Sequence, residues 1–194
     1  MSNSKKIVDR IQKKMASLTI KSLSKTIEKN VQNNYKYLNS SYSIKYLQNE
    51  NFGKKKIAIV VSAGPSLKRV GQTKILKKYK NKAIIIACDC SLYYLLRNNI
   101  IPDLIVTLDP HPTRIIRWFG VKNLSLKILK KDDYFRRQDL DTDFKKEISV
   151  NKKILKLTKK FGKKLNVAAC TSSSSTVVKR LIKIKSKIYW WNPF

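Results

Sequence analysis

Three continuous apolar runs limit what this chain can fold into: KIAIVV at 56–61, AIIIAC at 83–88 and DLIVTL at 103–108. Each has the length of a strand and is rich in β-branched residues. None alternates apolar with polar residues, so each strand needs cover on both faces, as in a parallel sheet packed between helices. The connections, about 20 and about 14 residues long, are too long for hairpins and suit helical crossovers. Helical patterns occupy both, over 67–79 and 91–98.

These units predict an α/β fold, a doubly wound, mostly parallel, Rossmann-like sheet with a helical N-terminal extension. A chain of 194 residues is long enough for one such domain with a real core. The boundary falls at residue 50, with a polar, helix-patterned extension over 1–50 and the α/β domain over 51–194. In the extension, Ile7, Ile11, Met15 and Leu18 recur at helical spacing. A second helical stretch runs from Ile20 to about Leu38, and a loop covers 33–43. The extension either packs on the main domain or forms a longer interaction arm. Beyond Pro112, TRIIRWF reads as a helix and LSLKIL, 124–129, as a fourth strand. Residues 130–147 hold six of the twelve acids and read as a solvated insertion. The pattern over 151–164 is ambiguous. VAACTSSSSTVVKRLIKI, 167–184, predicts a strand end, a Ser/Thr turn and a helix capped by Ser or Thr. KIYWWNPF, 187–194, reads as a last strand ending on exposed aromatics, the ending expected of a domain truncated at its C-terminal end.

Charge is the largest compositional bias, with 43 Lys and Arg against 12 acids, net +31. Such a balance points to nucleic acid or an anionic surface. Only eight of the 43 are Arg, however, and no Arg–aromatic interleaving builds a base-stacking platform. A solvated lysine coat accounts for the charge; a non-catalytic, polyanion-binding protein is the alternative. Cys88, Cys90 and Cys170 have neither zinc nor dithiol spacing and read as buried thiols of a reducing compartment. The first 15 residues lack the apolar core of a signal peptide. No apolar run approaches the ~20 residues that span a bilayer. A cytoplasmic location without a transmembrane segment is expected.

A parallel sheet carries every strand's carboxyl end to one edge, where ligands bind. Three features fall there: SAGPS at 62–66, Asp89 and Asp109. Between 51 and 131 the only acids are Asp89, Asp103 and Asp109, so each is expected to have a role. Ala63, Gly64, Pro65 and Ser66 form a small turn suited to phosphate, with Gly64 allowing close backbone approach. Asp89 and Asp109 are either helix caps or turn formers, or a site for Mg²⁺, which takes few carboxylates and leaves positions for phosphate oxygens. His111, in DPHP, is either an active-site group or an exposed loop residue. Lys68, Arg69, Arg114 and Arg117 are candidate phosphate partners, with surface charge the alternative for Arg114 and Arg117. Ser172, in TSSSST, can add a hydroxyl at the same edge. Trp190 and Trp191 read as packing residues. Neither the dinucleotide-binding G-x-G-x-x-G nor the P-loop motif is present.

IAIVVSAGPSL, ACDCSLYYLLRNNIIPDLIVTLDP and the later Ser/Thr-rich helix start resemble the 6-hydroxymethylpterin diphosphokinase MptE-like family. Asn99 stands where that family usually has glycine, a change that asparagine's tolerance of positive φ allows. The resemblance covers roughly 40–194, is clearest over 57–110, and leaves the family's last part without a counterpart. It implies nucleotide-dependent transfer: a pyrophosphoryl group moved from ATP to a pterin alcohol with Mg²⁺. In the related motility accessory factors it implies glycosyl transfer from a nucleotide-activated sugar. On either implication Asp89, Asp109 and His111 are the catalytic candidates, and the acceptor is a small molecule or a glycan.

Overall fold

Six strands form one all-parallel sheet in the computed structural model, which describes residues 3–48, 55, 57–68, 71–132 and 144–192. The strands are β1 (Tyr42–Ser43), β2 (Ile57–Val61), β3 (Ala83–Cys88), β4 (Leu104–Thr107), β5 (Asn166–Cys170) and β6 (Lys187–Trp191). Their spatial order is β1-β6-β5-β4-β3-β2. The helices are α1 (Asn3–Tyr35), α2 (Gln72–Tyr79), α3 (Leu92–Arg97), α4 (Ile116–Phe119), α5 (Leu126–Lys131), α6 (Phe144–Phe161) and α7 (Ser175–Lys183). Helical segments lie on both sides of the sheet, giving a doubly wound α/β fold. Among the described residues, no helix is long and apolar enough to cross a membrane.

The apolar runs form strands because both of their faces find cover, though unequally. Ile85, Ala87, Ile105, Val167 and Ile188 point to one face and join a buried core with Leu95, Phe119 and Leu181. Ile84, Ile86, Leu104 and Val106 point the other way and are half-buried. Val60 is exposed because β2 is the edge strand.

Several elements differ from the sequence pattern. The extension is one continuous helix of 33 residues rather than two. Its following loop adds β1 to the sheet, where Tyr42 pairs with Tyr189 and their rings lie 5.6 Å apart. That contact and the flanking β5 make β6 an interior strand, so Tyr189 and Trp190 are buried rather than exposed. LSLKIL is not a strand. Ser125 caps α5 by accepting from the Ile128 amide at 3.4 Å, and Leu129 is buried. The ambiguous stretch 151–164 lies mostly in α6, where Asn151 clamps Val121 through both its amide and its carbonyl at 2.8 and 2.9 Å. Most of the acidic insertion, 133–143, lies outside the described residues. Asn99 has φ 58°, as its glycine-like position demands.

Asp103 has its role at the opposite, amino edge of the sheet. Its Oδ2 accepts from the Ile85 amide at 2.8 Å, and Lys55 pairs with it at 3.4 Å. It extends the β3–β4 ladder by one bond and takes no part in the carboxyl edge. The three cysteines are free thiols, Cys170 buried and the other two half-buried.

Gly162, between α6 and β5, marks the tightest packing. A Cβ there would collide with the Ile184 carbonyl oxygen and lie 2.8 Å from the Ile184 Cβ. Backbone cannot yield as a flexible side chain does. Gly162→Ala is therefore expected to destabilise the domain by about 1–3 kcal/mol, read as a lower midpoint in chemical unfolding.

Candidate active site

The carboxyl ends of β2, β3, β4 and β5 lie side by side, so the Gly64 turn, Asp89, Asp109 and Ser172 share one edge. Asp89 opens the short turn after β3. Its Oδ1 accepts from the Cys90 amide at 2.7 Å and its Oδ2 from the Thr107 hydroxyl at 3.0 Å. Thr107 is buried at the end of β4, so the carboxylate is fixed to its own turn and to the neighbouring strand. The buried Ser91 hydroxyl lies 2.8 Å from the carbonyl oxygens of both Val61 and Cys88, tying the ends of β2 and β3 together. Asp109 Oδ1 accepts from the His111 amide at 2.7 Å, and the Asp109 carbonyl accepts from the Ser174 amide at 3.1 Å.

Burial pushes the Asp89 carboxyl above its ordinary pKa, and the nearby Asp109 charge pushes in the same direction. The hydrogen bonds from Thr107 and Cys90 oppose the shift without cancelling it. Burial likewise raises the Cys90 thiol, with Asp89 and Cys88 adding to the effect. Cys90 is thus a protonated thiol rather than a nucleophile. A cation beside Asp89 would relieve the cost of its buried charge. No group of three or more His, Cys, Asp or Glu residues clusters here among the described residues. Asp89 and Asp109 are the residues of this edge that could hold a divalent cation, one that would complete its shell with water and phosphate oxygens as Mg²⁺ does.

The turn after β2 differs from the sequence expectation in one respect. No α-helix starts at Leu67: Pro65–Lys68 is a single 3₁₀ turn, and α2 begins at Gln72 after Gly71, whose φ is 98°. The turn's amides thus lack a helix dipole behind them. Ser62, Ala63 and Ser66 are exposed. Gly64 has no positive φ, and among the described residues a Cβ there would meet nothing closer than the Ser66 hydroxyl at 3.7 Å. Nothing among the described residues requires glycine at 64, whereas Gly162 has no room for a side chain. The side chains of Pro65 and Lys68, and all of Arg69, lie outside the described residues.

Ser172 reaches the edge, but its hydroxyl is turned inward: it is buried and lies 3.0 Å from the Cys170 thiol. Ser173 is also buried and donates to the Thr107 carbonyl at 3.1 Å. The Ser/Thr turn thus packs the edge rather than offering a row of hydroxyls. His111 Nδ1 accepts from the amides of Thr113 and Arg114, each at 3.3 Å, which places the proton of a neutral ring on Nε2. Arg114 follows in the same loop, and Arg117 lies 4.2 Å from the Trp118 ring centre.

The residues that lock this edge from behind carry no signature in the sequence. Asn30 and Asn34, one turn apart near the end of α1, are both buried. Asn30 donates to the carbonyls of Pro110 and Ser172 at 2.8 and 3.2 Å and accepts from the Ser175 amide at 3.2 Å. It therefore caps α7 from outside that helix. Asn34 donates to the carbonyls of Thr171 and Ser173 at 3.0 and 2.8 Å. These partners are up to 145 residues away in the chain, so nothing local distinguishes the two asparagines from the other polar positions of α1.

A model of the family described as 6-hydroxymethylpterin diphosphokinase MptE-like matches residues 29–184. No curated protein matches the chain. Among solved structures, a Maf glycosyltransferase from Magnetospirillum magneticum AMB-1 is similar, with 13% sequence identity and a TM-score of 0.40. That similarity covers 73% of this chain and 17% of the other, so this chain spans a small part of that protein's length.

Two outcomes follow from the site geometry. Asn30→Ala leaves two carbonyls and one helix amide without their partner, and should cost about 2–4 kcal/mol, seen as a marked fall in thermal midpoint. Asp89 has a folded-state pKa above its unfolded one, so its ionisation opposes folding. The opposition grows as pH rises from the unfolded value through the folded one. Asp89→Asn should therefore be at least as stable as the parent at neutral pH and should flatten the stability–pH curve on that acidic flank. A variant less stable than the parent at pH 7 would contradict this.

Proposed function

We propose, for a chain that belongs to the 6-hydroxymethylpterin diphosphokinase MptE-like family, that it is a Mg²⁺-dependent transferase using a nucleotide donor. The observation that carries the reading is the pairing of Asp89 and Asp109 on adjacent strand ends beside a glycine turn with unfilled space. The backbone of Ala63–Ser66 would lie against the donor phosphates. Asp89 and Asp109 would hold Mg²⁺, directly or through water, and the ion would neutralise phosphate charge. Group transfer of this kind depends on positioning and charge neutralisation rather than on a protein nucleophile, which suits an edge whose nearby thiol is kept protonated.

In the pyrophosphoryl reading, the acceptor hydroxyl oxygen attacks the β-phosphorus of ATP. The bond between that phosphorus and the oxygen leading to the α-phosphate breaks. AMP leaves, and the hydroxyl proton is released to solvent or to a nearby base. His111, held by its Nδ1 bonds, and Arg114 are the candidates to meet charge on the donor. The same edge would also serve a nucleotide-activated sugar, and product analysis separates the two. ATP, a reduced hydroxymethylpterin and Mg²⁺ should yield AMP and the pterin diphosphate. ADP formation or no turnover would contradict pyrophosphoryl transfer, whereas release of a nucleotide from an activated sugar would assign glycosyl transfer.

Two substitutions test the assignment of the edge. Asp109→Asn keeps the shape of the loop but removes a charge that Mg²⁺ prefers, and should weaken Mg·nucleotide binding about tenfold or more, about 1.4 kcal/mol. Binding equal to the parent's in calorimetric titration would reduce Asp109 to a turn former. Gly64→Ala meets no obstacle among the described residues, so stability should hold or rise by up to about 1 kcal/mol. Nucleotide affinity should nonetheless fall, because the added methyl occupies the approach to the turn. Unchanged affinity would remove the turn from the donor site.

A further inference from the structure

The first half of α1 carries an apolar stripe that the domain does not cover. Ile7, Ile11, Met15 and Leu18 are 56, 52, 63 and 58% exposed. At the helical step they fall on one face within roughly 80°. Asn30 and Asn34, which fix the helix to the domain, lie roughly 100–150° around from that stripe. Docking of the domain therefore leaves the stripe facing away.

The charge around the stripe decides what can cover it. Arg10, Lys14 and Lys21 are exposed along one flank, and Lys25 and Lys29 continue the line of the stripe toward the domain. Over residues 7–29 the acids are Asp9 and Glu28, against six basic residues. A second copy would set this basic flank against its own likeness, in a chain that already carries net +31. A surface that is both negative and apolar beneath satisfies the helix. Lysine and arginine stems can lie along such a surface with their charges at its headgroups while the stripe enters the acyl boundary. We infer that α1 is a membrane-surface anchor: residues 7–18 lie in the plane of an anionic lipid bilayer and hold the transferase domain beside it.

The test uses the full chain and two vesicle preparations, phosphatidylcholine alone and phosphatidylcholine with about a third phosphatidylglycerol, in flotation. The parent should float with the anionic vesicles and not with the neutral ones. Binding should weaken between about 0.1 and 0.5 M salt as screening shortens. The double variant Ile11→Gln and Met15→Gln keeps good helix formers and every charge. It should bind at least tenfold more weakly, with unchanged far-ultraviolet circular dichroism and unchanged molar mass in solution. Three results would overturn the inference. The parent could fail to bind anionic vesicles. The double variant could bind as the parent does, which would assign binding to the lysine coat. The parent could also be a dimer that the double variant dissociates, which would make a second copy the occupant of the stripe.

Discussion

Asp89 is held between its own turn and the end of the neighbouring strand, and the candidate site is arranged around that bond to Thr107. A half-buried carboxylate is costly in its charged form unless donors or a cation meet it. The chain supplies two donors, the Cys90 amide and the Thr107 hydroxyl, and then places a second carboxylate, Asp109, close enough to raise the cost again. That combination is unfavourable for a purely structural pair. The divalent ion proposed between the carboxylates and a polyanionic ligand would relieve that cost.

The rest of the edge keeps this pair in place. Ser91 joins β2 to β3, Thr107 joins β3 to β4, and Ser173 joins β5 to β4 through the Thr107 carbonyl. Asn30 and Asn34 close the series from α1, satisfying carbonyls in the two loops that follow β4 and β5. Two side chains of α1 thus hold loops that lie 80 and more residues away in the chain. If α1 lies against a lipid surface, those same two asparagines couple the anchored helix to the site.

The sheet was legible because its strands are continuous apolar runs with crossover-length connections, and the parallel arrangement then placed Gly64, Asp89 and Asp109 at one edge. What was not legible depended on distant partners. LSLKIL fits an alternating strand or a helix, and only the burial of Leu129 and the Ser125 cap settle it as α5. YWW at 189–191 looked exposed because β1, two residues long, has no pattern of its own. Ser172 lay in the expected place, but its hydroxyl bond to the Cys170 thiol depends on how β5 turns into α7. Asp103 was rightly singled out as an acid with a role, though the role is a ladder bond at the opposite edge.

The proposed function puts a divalent ion and donor phosphates at the carboxyl edge between Asp89 and Asp109. Mn²⁺ in place of Mg²⁺, added with nucleotide to isotopically labelled protein, broadens the amide signals nearest the ion. Selective broadening is expected at Ala63, Gly64 and Ser66, at Asp89–Ser91, and at Asp109 and His111, relieved by excess Mg²⁺. Broadening centred on Asp103 at the amino edge, or scattered over the surface with no focus, would contradict it.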